Sequence, residues 1–186
     1  MVVIGAGNVA MDCARNALRM GSRVVTVVYR RSRGEMPARQ EEIAHAEEEG
    51  IRFKLMTNPV RFAGDDQRWL RQVECVQMKL GEPDASGRPR PIPIAGSNFL
   101  IEADLAIVAV GAGPNPIVFS GFPGLERDQR GYIRTYSDSG RTSLRGVWAG
   151  GDIITGSSTV ISAMGCARRA GNDVHQYLAD PGAAWP

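Results

Sequence analysis

The feature that most constrains this chain is a glycine turn between a predicted strand and a predicted helix. Val2-Val3-Ile4 is a β-branched run, and small apolar residues recur at helical spacing from residue 9 to residue 20. The turn between them, Gly5-Ala6-Gly7-Asn8-Val9-Ala10, fits the pattern G-x-G-x-x-A. In that pattern the first glycine allows a tight turn, the second lets the backbone approach a pyrophosphate, and the alanine lets the helix pack on the strand. The turn therefore predicts dinucleotide binding at a helix N-terminus, with a purely structural glycine turn as the alternative.

The residues after the second predicted strand indicate which dinucleotide is bound. Residues 23–29 are rich in β-branched side chains, so strand, turn, helix and strand form a βαβ unit. An NAD-binding unit usually has an acid at the end of this strand, but here Arg30 and Arg31 follow it, and the first acid is Glu35. A guanidinium binds a 2′-phosphate bidentately, whereas a carboxylate repels it. Arg30 and Arg31 thus predict NADP(H). The alternative is that one or more arginines of this run, Arg33 above all, only solvate a loop.

The rest of the pattern predicts an α/β fold in which a Rossmann-like parallel sheet carries an antiparallel insertion. The expected segments are a helix at about 38–49, a strand at 51–55, antiparallel strands at 60–62, 69–80 and 99–101, a turn-rich stretch at 81–87, and a buried parallel strand at 105–110. Short strands near 132–134 and 147–149 and a helix at about 160–178 follow. We expect a dinucleotide-binding domain at residues 1–113 and a segment of a second domain at 114–186.

Composition and reactive residues argue against several kinds of partner. The 22 basic and 20 acidic side chains give a net charge of +2, which does not favour nucleic acid or an anionic membrane. No apolar run approaches the roughly 18–20 residues of a membrane helix, and we expect no secretion signal. Cys13, Cys75 and Cys166 form no CxxC pair, and neither histidine has a metal-spaced partner. We therefore expect no metal site and a cytoplasmic location.

Three longer strings carry a resemblance to a known family. They are Gly5-Ala6-Gly7-Asn8-Val9-Ala10-Met11-Asp12-Cys13-Ala14-Arg15, Tyr29-Arg30-Arg31-Ser32-Arg33 with Glu35-Met36-Pro37, and Leu80-Gly81-Glu82-Pro83-Asp84-Ala85-Ser86-Gly87-Arg88. Together they resemble the small (beta) subunit of NADPH-dependent glutamate synthase and related pyridine nucleotide-disulfide oxidoreductase-like flavoproteins. Those relatives include an NAD(P)-linked ferredoxin oxidoreductase subunit and the flavin half of dihydropyrimidine dehydrogenase. The resemblance implies an NADPH domain inserted within an FAD domain.

Two later motifs are similar to parts of that architecture. Residues 109–114, with Gly111, resemble the crossover that leaves the NADPH domain, and residues 146–152 resemble the FAD signature near the C-terminus. By this resemblance Gly151 and Asp152 face the flavin ribityl chain or pyrophosphate, and the helix start at Thr159 and Val160 lies against the flavin. The apolar surface of residues 146–170 is then expected to be partly exposed. The alternative for Asp152 is an exposed turn or N-cap aspartate.

The departures from the family pattern limit what this chain does alone. It has one glycine fingerprint, so the FAD site is incomplete, and the cysteine-rich region that carries iron–sulfur clusters is absent. We expect the C-terminal portion of a longer protein. In the complete family enzyme, hydride passes from NADPH to FAD and electrons pass on to iron–sulfur centres for glutamate synthesis. The implied partners are the remaining flavoprotein domains and a glutamate synthase large subunit or equivalent electron acceptor.

The resemblance assigns no catalytic side chain, because the cofactors carry the chemistry. The absence of a CxxC pair argues against a thioredoxin reductase. The alternative to an enzyme is a stand-alone NADP-binding or regulatory module that performs no chemistry.

Overall fold

The structure is a computed structural model that describes residues 1–84, 87–180 and 184–185. The chain divides into unit 1, residues 1–110, and unit 2, residues 111–186. The elements of unit 1 are, in chain order, β1 (Val2–Ile4), α1 (Asn8–Arg19), β2 (Thr26–Val28), a 3-10 turn (Arg33–Glu35), α2 (Gln40–Glu48), β3 (Arg52–Lys54), β4 (Thr57–Gly64), β5 (Leu70–Pro83), β6 (Pro89–Pro93), β7 (Phe99–Glu102) and β8 (Ala106–Val108).

Unit 1 contains a parallel sheet and an antiparallel sheet. The parallel sheet has the order β3-β2-β1-β8, and Val3 of β1 is paired with Val27 of β2 and Ile107 of β8. In the antiparallel sheet, β5 pairs with β4, β6 and β7. The predicted α/β fold, a Rossmann-like parallel sheet with an antiparallel insertion, is confirmed.

The core of unit 1 lies on both faces of the parallel sheet. On one face, the fully buried Val3 and Val27 belong to a cluster with Ala10 and Met11 of α1 and Ile43 of α2. The other cluster joins the buried residues Val2, Ile4 and Val28 to residues of β5 and of the segment after β7, Val73, Cys75 and Ala103. Because β1 and β2 are buried on both faces, their side chains are apolar except for the buried Thr26, and they do not alternate between apolar and polar.

Several boundaries differ from the sequence-based expectations. The strand expected at 23–29 pairs only over residues 26–28, because its partner β1 is three residues long and ends at Ile4, just before the Gly5 turn. The strand expected at 105–110 is likewise limited to residues 106–108 by pairing with β1. In the stretch expected as a turn, 81–87, β5 continues through Pro83, and Ala85 and Ser86 lie outside the described residues. β6 was not expected, because Pro89, Pro91 and Pro93 argue against a strand by their missing N–H groups.

Within residues 111–180 and 184–185, unit 2 consists of three helices and a loop region. Its helices are α3 (Pro116–Gly121), α4 (Asp152–Thr155) and α5 (Val160–Ala179). The predicted long C-terminal helix is confirmed, but the short strands expected near 132–134 and 147–149 are only the isolated bridges Arg127↔Ile133 and Arg141↔Trp148. Turns at Gly131, Gly140 and Gly146, all with positive φ, interrupt this stretch and prevent longer ladders. Its small core groups Leu125, Ile133 and Ala149.

Candidate functional site

The glycine turn of unit 1 lies directly against Ala109, the residue that follows β8. Gly5 has φ +125°, and a Cβ built on it would lie 2.2 Å from the carbonyl oxygen of Ala109. The Gly5 N–H donates to the carbonyl of Val28 over 3.0 Å, so the turn is also joined to the end of β2. Only glycine fits this position, for steric as well as conformational reasons.

The helix that follows the turn presents its N-terminus without a capping side chain. Gly7 is the N-cap of α1 and no side chain accepts from its first turn among the described residues. Ala10 is completely buried against the sheet, as predicted. Asn8 is used differently, because its Oδ1 accepts from the backbone N–H of Arg39 over 3.0 Å. An uncapped N-terminus leaves backbone N–H groups and partial positive charge for an anion.

The turn occupies the point of the sheet at which strand order reverses. β1 is followed along the chain by β2 on one side, whereas β8 pairs with β1 on the other side. In open parallel sheets, ligands bind outside the carboxyl ends of the strands at such a switch point. Gly5 and Arg30 both follow the carboxyl ends of neighbouring strands. Gly111, three residues after β8, is exposed and has φ +90°.

The three arginines after β2 have three different environments. Arg30 is exposed. Arg31 is 5% exposed, and its guanidinium donates to the carbonyl of Pro89 over 2.8 Å and to the carboxylate of Asp84 over 3.1 Å. Arg33 is exposed and forms a two-pronged ion pair with Glu47 on α2. The structure therefore leaves Arg30 available to a ligand and uses Arg31 and Arg33 within the protein.

The hairpin of β5 and β6 contacts the segment after β2, residues 29–35, through hydrogen bonds. Besides the Asp84 contact, an Arg88 guanidinium nitrogen donates to the Tyr29 hydroxyl over 3.0 Å and to the Glu35 carbonyl over 2.6 Å. The Tyr29 hydroxyl itself donates to the Glu35 carbonyl over 2.6 Å. Asp84 and Arg88 belong to the string that marked the family resemblance, but sequence reasoning assigned them no role. The sequence signal that could have found them is that one string carries arginines and the other an aspartate, which have complementary charges.

In unit 2 the predicted FAD signature forms a tight turn against α5. Gly151 has φ +74°, and a Cβ on it would meet the Cβ of Ala163 at 3.4 Å. A Cβ on Gly150 would meet that of Cys166 at 3.0 Å, so both glycines permit close approach of the turn to the helix. Asp152 is the exposed first residue of α4, and its Oδ1 accepts from the Ser158 N–H over 3.2 Å.

The start of α5 exposes apolar side chains, as expected from the sequence. Thr159 is the N-cap, and its hydroxyl oxygen accepts from the Ser162 N–H over 3.2 Å. Val160 is 75% exposed, Ile161 82% and Met164 59%. These residues and the turn at Gly151 and Asp152 all lie within residues 151–164.

A charged cluster anchors the signature segment to α5. Asp173 accepts two hydrogen bonds from Arg141, at 2.7 and 2.9 Å, and one from the Trp148 indole at 2.6 Å. The Arg141 guanidinium and the Trp148 N–H hold the pKa of the Asp173 carboxyl well below its usual range. Trp148 also makes edge-to-face contacts with Tyr177 and Trp185. The cluster therefore stabilises the loop that begins the turn.

The buried cysteine of β5 is not a reactive thiol. Burial raises the pKa of the Cys75 thiol to about 11, which keeps it protonated at neutral pH. Across residues 1–84, 87–180 and 184–185, no group of three or more His, Cys, Asp or Glu could hold a metal ion. Over the same residues, no helix is both long enough and apolar enough to cross a membrane.

Comparison with known proteins relates this geometry to relatives. The chain is 43% identical over 178 residues to the NADP(+)-dependent formate dehydrogenase subunit beta of Moorella thermoacetica, covering 96% of this chain and 25% of that protein. It is 41% identical over 179 residues to the glutamate synthase (NADPH) small chain of Azospirillum brasilense, covering 95% of this chain and 36% of that one. The chain thus spans well under half the length of these curated relatives.

A solved structure and a family model agree with these matches. The thioredoxin reductase of T. acidophilum superimposes with a TM-score of 0.74 at 22% identity, covering 96% of this chain and 52% of that one, which shows the shared fold. The family model described as "Pyridine nucleotide-disulphide oxidoreductase" matches residues 1–171. The resemblance to glutamate synthase small subunits and the prediction of NADP(H) and FAD as cofactors are confirmed. The chain belongs to the pyridine nucleotide-disulphide oxidoreductase family.

Proposed function

We propose that this chain is the NADPH-binding part of a flavoprotein oxidoreductase of the glutamate synthase small-chain type. One observation carries the proposal. The Gly5 turn, the uncapped N-terminus of α1 and the exposed Arg30 all lie at the carboxyl ends of the parallel strands β1 and β2. The residues present fit the cofactor, because the helix N-terminus suits a pyrophosphate and a guanidinium suits a 2′-phosphate.

Each part of the site has a binding role rather than a chemical one. The N–H groups at the start of α1 hold the pyrophosphate, Gly7 lets the backbone approach it, and Arg30 holds the 2′-phosphate. Arg31 supports this arrangement by fixing the hairpin through Asp84 and Pro89. The chemistry at this site would be the transfer of a hydride from bound NADPH to FAD. The side chains orient and shield the cofactors, so no acid–base residue is required.

Unit 2 contributes one wall of the FAD site in this proposal. Gly151 and Asp152 would face the flavin ribityl chain or pyrophosphate, Thr159 and Val160 would lie against the flavin, and Gly111 would lie in the crossover from the NADPH domain. The remaining flavoprotein domains would complete the site. The close packing of the Gly150-Gly151 turn on α5 and the exposed apolar residues beside it support this assignment.

The electron acceptor is a further part of the proposal. Electrons would pass from FAD through iron–sulfur centres to a glutamate synthase large subunit in the cytoplasm. A second candidate is an equivalent acceptor in another redox complex, favoured by the 43% identity to a protein named as a formate dehydrogenase subunit. Reconstitution of the full-length protein with each class of acceptor, followed by NADPH oxidation, separates the two.

We expect the Arg30→Ala variant to lose most of the preference for NADPH over NADH. Loss of one charge-assisted phosphate contact costs about 1.5–3 kcal/mol, or roughly ten- to a hundredfold in affinity for NADPH. Calorimetric titration of this chain with both nucleotides measures the effect. The control is Arg52→Ala, which removes the same charge from an exposed position on β3. Equal affinities of the unsubstituted chain for the two nucleotides would contradict NADP preference.

We also expect the purified chain to be colourless and inactive in NADPH-dependent dye reduction. It carries one glycine fingerprint, so the FAD pyrophosphate lacks a second helix N-terminus for electrostatic anchoring. The visible absorbance of bound flavin measures retained FAD. A yellow preparation with stoichiometric flavin would show that unit 2 alone suffices to hold FAD.

A further inference from the structure

A cleft of about 690 Å³ in unit 1 joins the segment after β2 to the β5–β6 hairpin. Among the residues that the structure describes, its charged lining consists of two acids and three arginines, which are Glu82, Asp84, Arg30, Arg31 and Arg90. The hairpin therefore lines the same cleft as Arg30, which is predicted to bind the 2′-phosphate. The sequence alone did not place the hairpin in this site.

The arginines of the cleft differ in whether their charge is already engaged. Arg31 is committed to Asp84 and Pro89. Arg30 and Arg90 are both exposed, and neither takes part in a hydrogen bond or ion pair within the portion of the chain that the structure describes. Two exposed guanidiniums thus line the same cleft. Apart from the Arg31–Asp84 pair, the charged groups of the described lining are these two guanidiniums and the carboxylate of Glu82.

The backbone around Arg90 is shaped by an irregularity in the β5–β6 pairing. Leu80 pairs with Pro91 and Pro83 with Pro89, so Gly81 and Glu82 together stand opposite the single residue Arg90. Such a bulge bends the strand and redirects side chains, and bulges of this kind are frequent beside functional sites. Arg90 is therefore held by strand pairing rather than placed on a free loop.

Two further features restrict the backbone on either side of Arg90. The proline on each side of it restricts φ of the strand. The Arg31 guanidinium donates to the carbonyl of Pro89, the residue immediately before Arg90. Arg31 is thus a positioning residue, which ties the backbone next to Arg90 to the segment that carries Arg30.

We propose that Arg90 is a second specificity-determining residue for NADPH, which binds the 2′-phosphate together with Arg30. The inference rests on the proposed binding of NADPH by unit 1. A phosphate monoester carries about −1.5 to −2 charges at neutral pH, which two guanidiniums match better than one. NADH lacks this phosphate, so Arg90 makes no comparable contact with it. The carboxylate of Glu82 opposes the added negative charge and moderates the affinity.

The test uses the full chain and two pairs of probes that differ in the 2′-phosphate. Calorimetric titrations compare NADPH with NADH, and adenosine 2′,5′-bisphosphate with adenosine 5′-monophosphate. The variants are Arg90→Ala, Arg30→Ala, their combination and Glu82→Gln, with Arg52→Ala as the control of equal charge change. A thermal melt of each variant checks that unit 1 remains folded.

For Arg90→Ala we expect about a tenfold loss of affinity for both 2′-phosphorylated probes and less than about twofold for the other two. Glu82→Gln should tighten binding of the phosphorylated probes about two- to fivefold. An unchanged NADPH-to-NADH ratio in Arg90→Ala, while Arg30→Ala lowers it, would overturn the role of Arg90 and leave the proposed function standing. An equal loss in Arg52→Ala would reduce the effect to general electrostatics and also overturn it. If the unsubstituted chain binds neither nucleotide, or both equally, the proposed NADPH function fails together with this inference.

Discussion

Gly5→Ala is expected to lower the free energy of unfolding of unit 1 by roughly 3 kcal/mol or more and to abolish measurable NADPH binding. The new Cβ would stand 2.2 Å from the Ala109 carbonyl oxygen, and alanine strongly disfavours the φ of +125°. Both problems involve backbone, so no side chain can move to relieve them. The resulting separation of β1 from β8 would disrupt the carboxyl ends of the parallel strands, where the candidate site lies.

Two other glycines provide matched controls for the Gly5 substitution. Gly21 has φ +101°, but a Cβ at this position would meet no atom within 4 Å, so Gly21→Ala should cost only about 1–2 kcal/mol of conformational strain. Gly7 has φ −85°, and its Cβ would meet only the Pro37 side chain at 3.9 Å. Gly7→Ala should therefore fold normally but bind NADPH weakly, because the predicted approach of the pyrophosphate is blocked.

Denaturant titration and amide hydrogen exchange at the buried strands β1 and β2 measure these effects in unit 1 separately from unit 2. A Gly5→Ala variant that is as stable as Gly21→Ala would contradict the steric argument. Normal NADPH affinity in Gly7→Ala would remove the glycine turn from the binding site while leaving its structural role.

Arg31→Ala is expected to destabilise unit 1 by about 2–4 kcal/mol, whereas Arg30→Ala should change its stability by less than about 0.5 kcal/mol. The buried Arg31 guanidinium supplies hydrogen bonds to the Asp84 carboxylate and the Pro89 carbonyl, and alanine replaces neither. Arg30 is exposed. The two neighbouring arginines should therefore separate stability from nucleotide preference.

Chemical denaturation and nucleotide titration on the same four proteins test this separation. They are the unsubstituted chain, Arg30→Ala, Arg31→Ala and Arg31→Lys, the last of which keeps the charge without the two-pronged geometry. We expect Arg31→Lys to recover only part of the lost stability. If Arg31→Ala were as stable as Arg30→Ala and lost NADPH affinity to the same degree, both arginines would be ligand-binding residues, as the sequence alone predicts.

The local pattern of the chain was sufficient for the architecture around the glycine turn. Alternation, helical spacing and glycines with positive φ act over a few residues, so the ends of α1 just before Gly21 and of α2 just before Gly50 follow directly from them. Strand lengths did not follow. The length of β2 is limited by pairing with β1, which has only three residues. β6 forms despite three prolines because it pairs with β5.

By itself, the sequence determined the α/β class, the dinucleotide turn at Gly5 and the family, since these depend on local pattern and on motifs read in order. Only the tertiary structure decided which arginine is available to a ligand. The contacts that bury Arg31 come from Asp84 and Pro89, 53 and 58 residues farther along the chain, and Arg33 is paired with Glu47 on α2. The same long-range pairing brings Arg90 to the cleft beside Arg30. Adjacent arginines look equivalent in sequence, but burial and hydrogen bonding are properties of the packed chain, and these give each guanidinium its role.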